Sequence, residues 1–441
     1  MKIRGLLVAS LVFLILAGLL YYSNHHKPAE EAAKSSAETP SILKLDEASI
    51  NKFEIKKKDL PPIVLAKDNS GNWRITEPKA LGADQSTVTS ALSSLSSLNS
   101  ERLVEDKASD LKRYGLDQPA IEVGVTEKDN KTQKLLMGDD TPAGGAVYAM
   151  LAGDPRVFTI SSYNKTSVDK SLNDWRDKRL LTANSDKISR VELIRKNQTI
   201  EFGRNKDEWQ ILKPRPLRAD GFQVSELVRR LSDARMDFSG SDADSKEIAS
   251  AFAHATPVAT AKITDESGAQ QIEVRKNKDT FYAKSSVVEG TYKVGSDLGQ
   301  ALDKGLDDFR NKKLFDFGFS DPNKVELHAG QKAYFLTRSG EDWWSNGKKM
   351  DAASVQSLIS ELRDLSASKF VDSGFTSPAA IEATVTSDDG KRVEKVLMSK
   401  SGSSYIAKRE NEPGSYEVGS SAVDEIQKAA DAIKPAAPPG K

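Results

Sequence analysis

The chain has 441 residues, which is enough for about three domains of roughly 150 residues each. Its 64 basic and 64 acidic side chains balance, and this neutrality argues against broad nucleic-acid binding, which requires a basic surface. The absence of cysteine excludes disulfides, thiolate metal sites and a cysteine nucleophile.

The N-terminus predicts a membrane anchor at residues 1–22. Lys2 and Arg4 precede an uncharged, mostly apolar run from Gly5 to Tyr22. As a helix, this run is about 27 Å long, close to the roughly 30 Å hydrocarbon core of a bilayer. Because the basic residues come first, we expect a single-pass protein whose N-terminus stays in the cytoplasm and whose bulk is exported. A cleaved signal peptide is the alternative, but the sequence after the run offers no good small-x-small cleavage site.

Composition divides the rest of the chain into a tether, three modules and a tail. Residues 23–41 are rich in Ala, Glu, Ser and Pro and lack apolar periodicity, which predicts a flexible tether. The three modules and a disordered tail are expected at residues 42–183, 184–319, 320–434 and 435–441.

The three modules repeat one design. Each module has one tryptophan at an equivalent position, and successive tryptophans are 136 and 134 residues apart. Each tryptophan is followed by an aspartate that opens a helical pattern. The tryptophans are Trp73, Trp209 and Trp343, and the aspartates are Asp84, Asp220 and Asp351. A repeat of this length corresponds to a whole small domain rather than to one turn of a solenoid.

Within each module the pattern predicts strands, a helix, more strands and a second helix. Period-two alternation ends in a strand that carries the tryptophan. The aspartate is an expected N-cap, and apolar residues at +4, +8 and +11 from it define one helical face. About four short strands and a closing helix follow; in the first module this helix is expected to carry Trp175 and Leu180. The sequence therefore predicts an α+β fold: an N-terminal transmembrane helix and three tandem modules of mainly antiparallel strands with two helices each.

No catalytic, cofactor-binding or metal-binding residue is predicted. His25 and His26 lie in the tether, and His254 and His328 lie in different modules without counterparts in the other copies. The chain has no nucleophile elbow, no zinc-binding H-E-x-x-H and no phosphate-binding glycine loop. We therefore expect a protein that is not an enzyme and has no cofactor.

Two kinds of residue are candidates for contacts. Trp73 and Trp209 alternate with apolar neighbours and are expected in the core, whereas Trp344 must point away from Trp343 and is the best candidate for an exposed aromatic contact.

Related segments at residues 173–180 and 307–314 end in basic residues. One interpretation places Lys178, Arg179, Lys312 and Lys313 at helix C-termini, where the helix dipole favours cations. The other is that Arg176 and Arg310 form ion pairs between modules.

The anchor, the strand-turn-Trp pattern, Ala83-Asp84-x-x-x-Val88 and the stretch from Trp175 to Leu180 together resemble a bacterial family of domains of unknown function. The resemblance covers about residues 42–434. It implies exported, membrane-tethered proteins often encoded beside ABC transporter permeases and gliding-motility-type auxiliary proteins, and it implies no catalytic residue. The third module departs from the pattern, since Met350 precedes Asp351 and the Arg-rich ending is missing.

The leading hypothesis is a non-enzymatic accessory or scaffold protein in a bacterial inner membrane, with its modules in the periplasm. Its expected partners are the lipid bilayer and an ABC transporter permease with its auxiliary subunits or another envelope assembly, and not nucleic acid. One alternative is a periplasmic ligand- or cell-wall-binding protein with a cleft between modules and a sugar contact at Trp344. Another is an enzyme that uses Asp or Glu residues from separate modules.

Overall fold

The structure is a computed structural model that describes residues 42–238 and 245–437. The predicted anchor, the tether, His25 and His26 lie outside these residues. Within the described ranges, no helix combines the length and the apolar character needed to span a bilayer. The chain forms two compact units, one up to Lys178 and one from Arg179.

The first module is built on one nine-stranded sheet. Its strands are β1 (Ile50–Lys57), β2 (Ile63–Lys67), β3 (Trp73–Glu77), β4 (Leu81–Gly82), β5 (Arg102–Glu105), β6 (Ile121–Glu127), β7 (Thr132–Asp140), β8 (Ala146–Leu151) and β9 (Val157–Ser161). Its helices are α1 (Gln85–Ser96), α2 (Ser162–Val168) and α3 (Leu172–Trp175), with a 3-10 turn at Leu111–Tyr114. The strand order is β4-β3-β2-β1-β6-β7-β8-β9-β5.

The second module repeats this plan with eight strands. They are β10 (Arg190–Ile194), β11 (Thr199–Asn205), β12 (Glu208–Lys213), β13 (Leu217–Arg218), β14 (Thr256–Asp265), β15 (Gly268–Asn277), β16 (Thr280–Ser285) and β17 (Tyr292–Val294). The helices are α4 (Gly221–Ser232), α5 (Ser245–His254) and α6 (Ser296–Leu302), with 3-10 turns at Ser185–Lys187 and Leu306–Asp308. The order is β13-β12-β11-β10-β14-β15-β16-β17.

The third module again has nine strands. They are β18 (Lys324–Ala329), β19 (Lys332–Ser339), β20 (Asp342–Ser345), β21 (Lys348–Lys349), β22 (Lys369–Val371), β23 (Ile381–Ser387), β24 (Arg392–Ser401), β25 (Ser404–Arg409) and β26 (Ser415–Gly419). The helices are α7 (Ala352–Asp364) and α8 (Ser420–Asp431), with a 3-10 turn at Asp388–Gly390. The order is β21-β20-β19-β18-β23-β24-β25-β26-β22.

The three sheets confirm an α+β fold of tandem, mainly antiparallel modules. In each, two meanders join through one central antiparallel pair: β1 with β6, β10 with β14 and β18 with β23. Alternate side chains of the central strands face a core that the helices cover, as the period-two pattern predicts. Trp73, Trp209 and Trp343 are all buried in these cores, which confirms their assignment to strand packing.

The predicted helix starts are also confirmed. The carboxylates of Asp84, Asp220 and Asp351 each accept a hydrogen bond from the backbone N–H three residues later, at 2.9, 3.1 and 2.9 Å. Each therefore satisfies a donor that the first turn of a helix leaves unpaired. The predicted apolar faces are buried: Val88, Leu92, Leu95, Val224, Val228, Leu231, Val355, Ile359 and Leu362.

The single closing helix predicted for the first two modules is wrong. In the first module α2 ends at Val168, and a new helix begins because the Asp174 carboxylate accepts hydrogen bonds from the N–H and hydroxyl of Ser171, at 3.0 and 2.6 Å. This helix ends at Trp175, and Arg176 has extended backbone angles, so Leu180 lies beyond it.

The basic residues of the two related segments follow short helices, Arg179 and Lys313 in isolated β-bridges and Lys178 and Lys312 in irregular backbone, so their assignment to the ends of closing helices is also wrong. The expectation of two helices per module holds in the third module. The first two each have three α-helices among the described residues.

Residues near the ends of the first two predicted modules pack with the module that follows. Leu180 and Leu181 lie in the core of the second module, and Leu314 and Phe315 lie in the core of the third. Pro435, placed in the tail by the sequence, pairs with Met350 as an isolated β-bridge. The bounds proposed from the sequence stay predictions.

Candidate functional site

The two histidines within the described residues have structural contacts. The His254 ring nitrogen Nδ1 lies 2.8 Å from the backbone oxygen of Ser250, one turn earlier in α5. The His328 ring meets the Phe335 ring edge-on, with centroids 5.4 Å apart. In the described part of the chain, no group of three or more His, Asp or Glu side chains is placed to hold a metal ion. That the protein catalyses no reaction stays a prediction.

A set of half-buried charges connects the second module to the third, within the unit that begins at Arg179. Arg218, on β13 two residues before the helix cap, places its Nε 2.8 Å from Glu412 Oε1 and its Nη1 3.3 Å from Asp316 Oδ2. Its Nη2 donates a 2.6 Å hydrogen bond to the backbone oxygen of Lys313. One guanidinium thus binds both the segment that connects the two modules, at residues 313–316, and the β25–β26 hairpin of the third module. Guanidinium is well suited to this, since its planar array of donors can satisfy several acceptors at once.

Electrostatics keeps Arg218 charged. Burial by itself lowers the pKa of a guanidinium, but Glu412, Tyr416 and Asp316 outweigh this effect and raise the pKa of Arg218. Burial and then the Glu412 carboxylate raise the pKa of the Tyr416 hydroxyl, which donates a hydrogen bond to that carboxylate. Both groups therefore keep their ordinary protonation state at neutral pH.

Arg310 makes a second contact across the same boundary. It is buried, and its guanidinium carbon lies 3.6 Å from the centroid of the Phe370 ring in the third module. This is a cation–π contact, while its ion pair, at 3.1 Å, is with Asp307 three residues earlier. The sequence-based hypothesis is therefore right that Arg310 reaches the next module and wrong that it does so through an ion pair. For Arg176, an ion pair between modules stays a prediction.

The connecting segment itself is part of the third module. The Leu314 N–H donates to the backbone oxygen of Leu365 at 2.9 Å. Both oxygens of Glu394 lie 3.1 Å from the Asp316 N–H, and Arg409 donates to Glu394 at 2.9 Å. We call the set Arg218, Arg310, Asp316, Phe370 and Glu412 the joint. Because its charges are paired and its backbone groups are hydrogen-bonded, the joint fixes how the two modules meet.

Sequence reasoning did not identify Arg218, Glu412, Glu394 or Arg409. The repeat did not single out Arg218, because the position two residues before the N-cap is Gly82 in the first module and basic in the other two, as Arg218 and Lys349.

A second candidate surface is the open face of the third sheet. Trp343 is 3% exposed while Trp344 is 39% exposed, which confirms that the two rings point to opposite faces. On the adjacent strand β19, Phe335 is 42% exposed, and its ring contacts His328 on β18. This face therefore presents three rings to solvent.

Comparison with known families gives one match. The model described as "Domain of unknown function (DUF4340)" matches residues 73–214 and again residues 209–384, which together cover more than half of the chain. The first segment begins at Trp73 and the second at its counterpart Trp209, so the match repeats with the modules. No curated protein matches the chain.

Proposed function

The chain belongs to this family of domains of unknown function, and on that premise we propose that it is a non-enzymatic accessory protein tethered to a bacterial inner membrane. The anchor is the apolar run of residues 1–22, and the modules lie in the periplasm. There they contact an ABC transporter assembly or another complex of the envelope. The tether gives the modules reach, and several modules in series give several contact surfaces.

The residues that repeat in all three modules support a structural role. The tryptophans fill strand cores, the aspartates cap helices, and the apolar positions of α1, α4 and α7 are buried. A catalytic module copied three times would be expected to repeat a polar set in a cleft. The residues repeated here are instead those that pack the core and cap the helices.

The joint is the observation that carries the proposal. Its paired guanidinium and aromatic contacts hold the second and third modules as one compact unit. A fixed pair of modules presents its surfaces at a constant separation, which is what a scaffold requires when it contacts two parts of a larger assembly.

Partner capture tests the proposal. The full chain, tagged and expressed in its bacterial host, is crosslinked mildly in intact membranes and purified in detergent. We expect mass spectrometry to identify a permease or an envelope protein. An anchor-only chain of residues 1–41 with the same tag is the control, and it is expected to lose this partner. Recovery of no partner, or equal recovery by the anchor alone, contradicts a scaffold role for the modules.

The location has its own test, because the chain has no cysteine. Asp207, whose side chain is fully exposed in the β11–β12 turn, is replaced by cysteine in one variant and Lys2 in another. A membrane-impermeant maleimide should label Asp207→Cys in cells with a permeabilised outer membrane, and Lys2→Cys only after lysis. The reverse pattern contradicts export.

The open face of the third sheet favours a second candidate function, binding to the cell wall. Exposed aromatic rings offer flat apolar surfaces, and Trp344 and Phe335 lie on neighbouring strands. Trp344→Ala should then weaken binding to purified peptidoglycan, whereas Phe222→Ala, which removes a 74% exposed ring from the second module, should not. Equal binding by both variants contradicts this candidate.

A further inference from the structure

A surface groove occurs at the same place in the first two modules, with different chemistry in each. In both it lies between the capped helix and the start of the closing helix. Ser94 on α1 corresponds to Arg230 on α4, since each follows its N-cap by ten residues. Tyr163 and Asp297 correspond as the second residues of α2 and α6.

In the second module an ion pair spans the groove. Arg230 Nη1 lies 2.5 Å from Asp297 Oδ2, and Arg230 Nε lies 2.8 Å from Glu226 on its own helix. The remaining hollow has a volume of about 260 Å³. The two charged side chains that face each other across this groove, Arg230 and Asp297, are thus paired with each other.

In the first module the hollow at the same place is larger, and a hydrogen bond between uncharged side chains takes the place of the ion pair. The hollow has a volume of about 520 Å³, and the contact across it is a 2.9 Å hydrogen bond between Ser94 Oγ and Asn164 Oδ1. The ring of Tyr163 is 69% exposed. Within the described part of the chain, the hydroxyls of Ser90, Ser93 and Tyr163 make no hydrogen bond.

The groove continues past Tyr163 into a second hollow of about 260 Å³. The two hollows share Ser90 and Tyr163, so they adjoin at these residues and together form one trough. The charged side chains of its lining are one acid, Glu101, and one base, Lys170, one in each hollow. The lining therefore has no net charge.

We infer that this groove of the first module binds a neutral oligosaccharide chain. Serine hydroxyls both donate and accept, as sugar hydroxyls do, and the exposed Tyr163 ring supplies the flat apolar surface on which the C–H face of a sugar ring packs. A charged polymer would meet one acid and one base in the trough, and therefore no net counter-charge. An apolar peptide would cover hydroxyls without pairing them, which is unfavourable. Two adjoining open hollows suit a chain rather than a compact molecule, which prefers an enclosed and mostly apolar pocket.

This inference goes beyond the proposed scaffold function and does not depend on it. It is also separate from the cell-wall candidate, because it uses α1 and α2 of the first module instead of Trp344.

Calorimetric titration of the full chain in detergent tests the inference, with the neutral hexamer of N-acetylglucosamine as the probe. We expect binding in the micromolar to millimolar range, weakened about fivefold by Tyr163→Ala, because an aromatic contact of this kind contributes about 1 kcal/mol. Tyr163 is exposed, so its loss leaves the fold intact. The double variant Ser94→Arg/Tyr163→Asp, which copies the ion pair of the second module, should abolish binding.

Matched controls make each outcome decisive. Asp297→Ala in the second groove and Trp344→Ala on the third sheet should leave binding unchanged, and a hexamer of galacturonate, which is anionic, should not bind. The inference is overturned if the wild-type chain fails to bind the neutral hexamer, or if Tyr163→Ala binds it as well as the wild type. It is equally overturned if Trp344→Ala removes binding, or if the anionic hexamer binds equally well.

Discussion

Replacement of Arg218 by methionine should destabilise the contact between the second and third modules by about 2 kcal/mol. Methionine keeps most of the aliphatic volume and removes the charge. Loss of one partner from a buried ion pair generally costs about 3–5 kcal/mol. Here the cost is lower, because Glu412 keeps Arg409 Nε at 2.7 Å and Asp316 keeps the Asn311 amide at 3.0 Å.

Hydrogen exchange of the full chain, followed by mass spectrometry, measures this effect locally. Peptides around residues 313–317 and 412–416 should exchange about thirtyfold faster in Arg218→Met, which corresponds to about 2 kcal/mol. The matched control is Arg229→Met. Arg229 and Arg230 hold the pKa of the Glu226 carboxyl at about 2, but Arg229 is exposed and its ion pair is screened by solvent, so no change is expected. Equal exchange in both variants refutes the reasoning about the joint.

Three further predictions concern single contacts. Burial and the Asp431 carboxylate raise the pKa of Tyr334 to about 12, so the folded state holds this proton longer than the unfolded state does. The stability from this contact is therefore full below about pH 10 and lost as the pH rises toward 12, and Tyr334→Phe should flatten that decline in chemical denaturation. Asp220→Ala removes a helix cap and should cost about 1 kcal/mol by the same assay, with Asp220→Asn nearly neutral. Gly299→Ala would ordinarily favour a helix, but the added carbon would lie 2.1 Å from the Phe281 ring, so we expect a lower melting temperature; a higher one would contradict the packing.

The sequence alone was sufficient to predict the structural features that repeat in the three modules. The tryptophan strands, the aspartate caps and the helix faces all depend on local periodicity, which each copy displays independently. Agreement among three copies makes such a pattern far more reliable than it is in one.

Local competition and distant contacts explain what the sequence did not predict. The Ser171–Asp174 capping box starts a new helix inside an apolar pattern that looked continuous, and apolar periodicity does not reveal that break. Arg218 and Glu412 are 194 residues apart, so their pairing depends on how two folded modules meet. The same applies to Arg310, whose partner Phe370 lies on a short strand that follows the helix of the next module.

The sequence also indicated how one surface aromatic would be placed. Adjacent tryptophans in a strand must face opposite ways, and Trp344 is indeed exposed beside the buried Trp343. The groove at Tyr163 could not be predicted from the sequence, because it forms between helices about 70 residues apart. Its lack of an ion pair becomes evident only when it is compared with the groove of the second module.

The most direct test of the scaffold account is a distance measurement across the joint. Because the chain has no cysteine, spin labels can be placed at Asp207→Cys in the second module and Ser403→Cys in the third, both in exposed turns. Double electron–electron resonance should give one narrow distribution of label-to-label distances in the full chain, and Arg218→Met should broaden it. A broad distribution in the unaltered joint would show that the two modules move independently and would contradict the account.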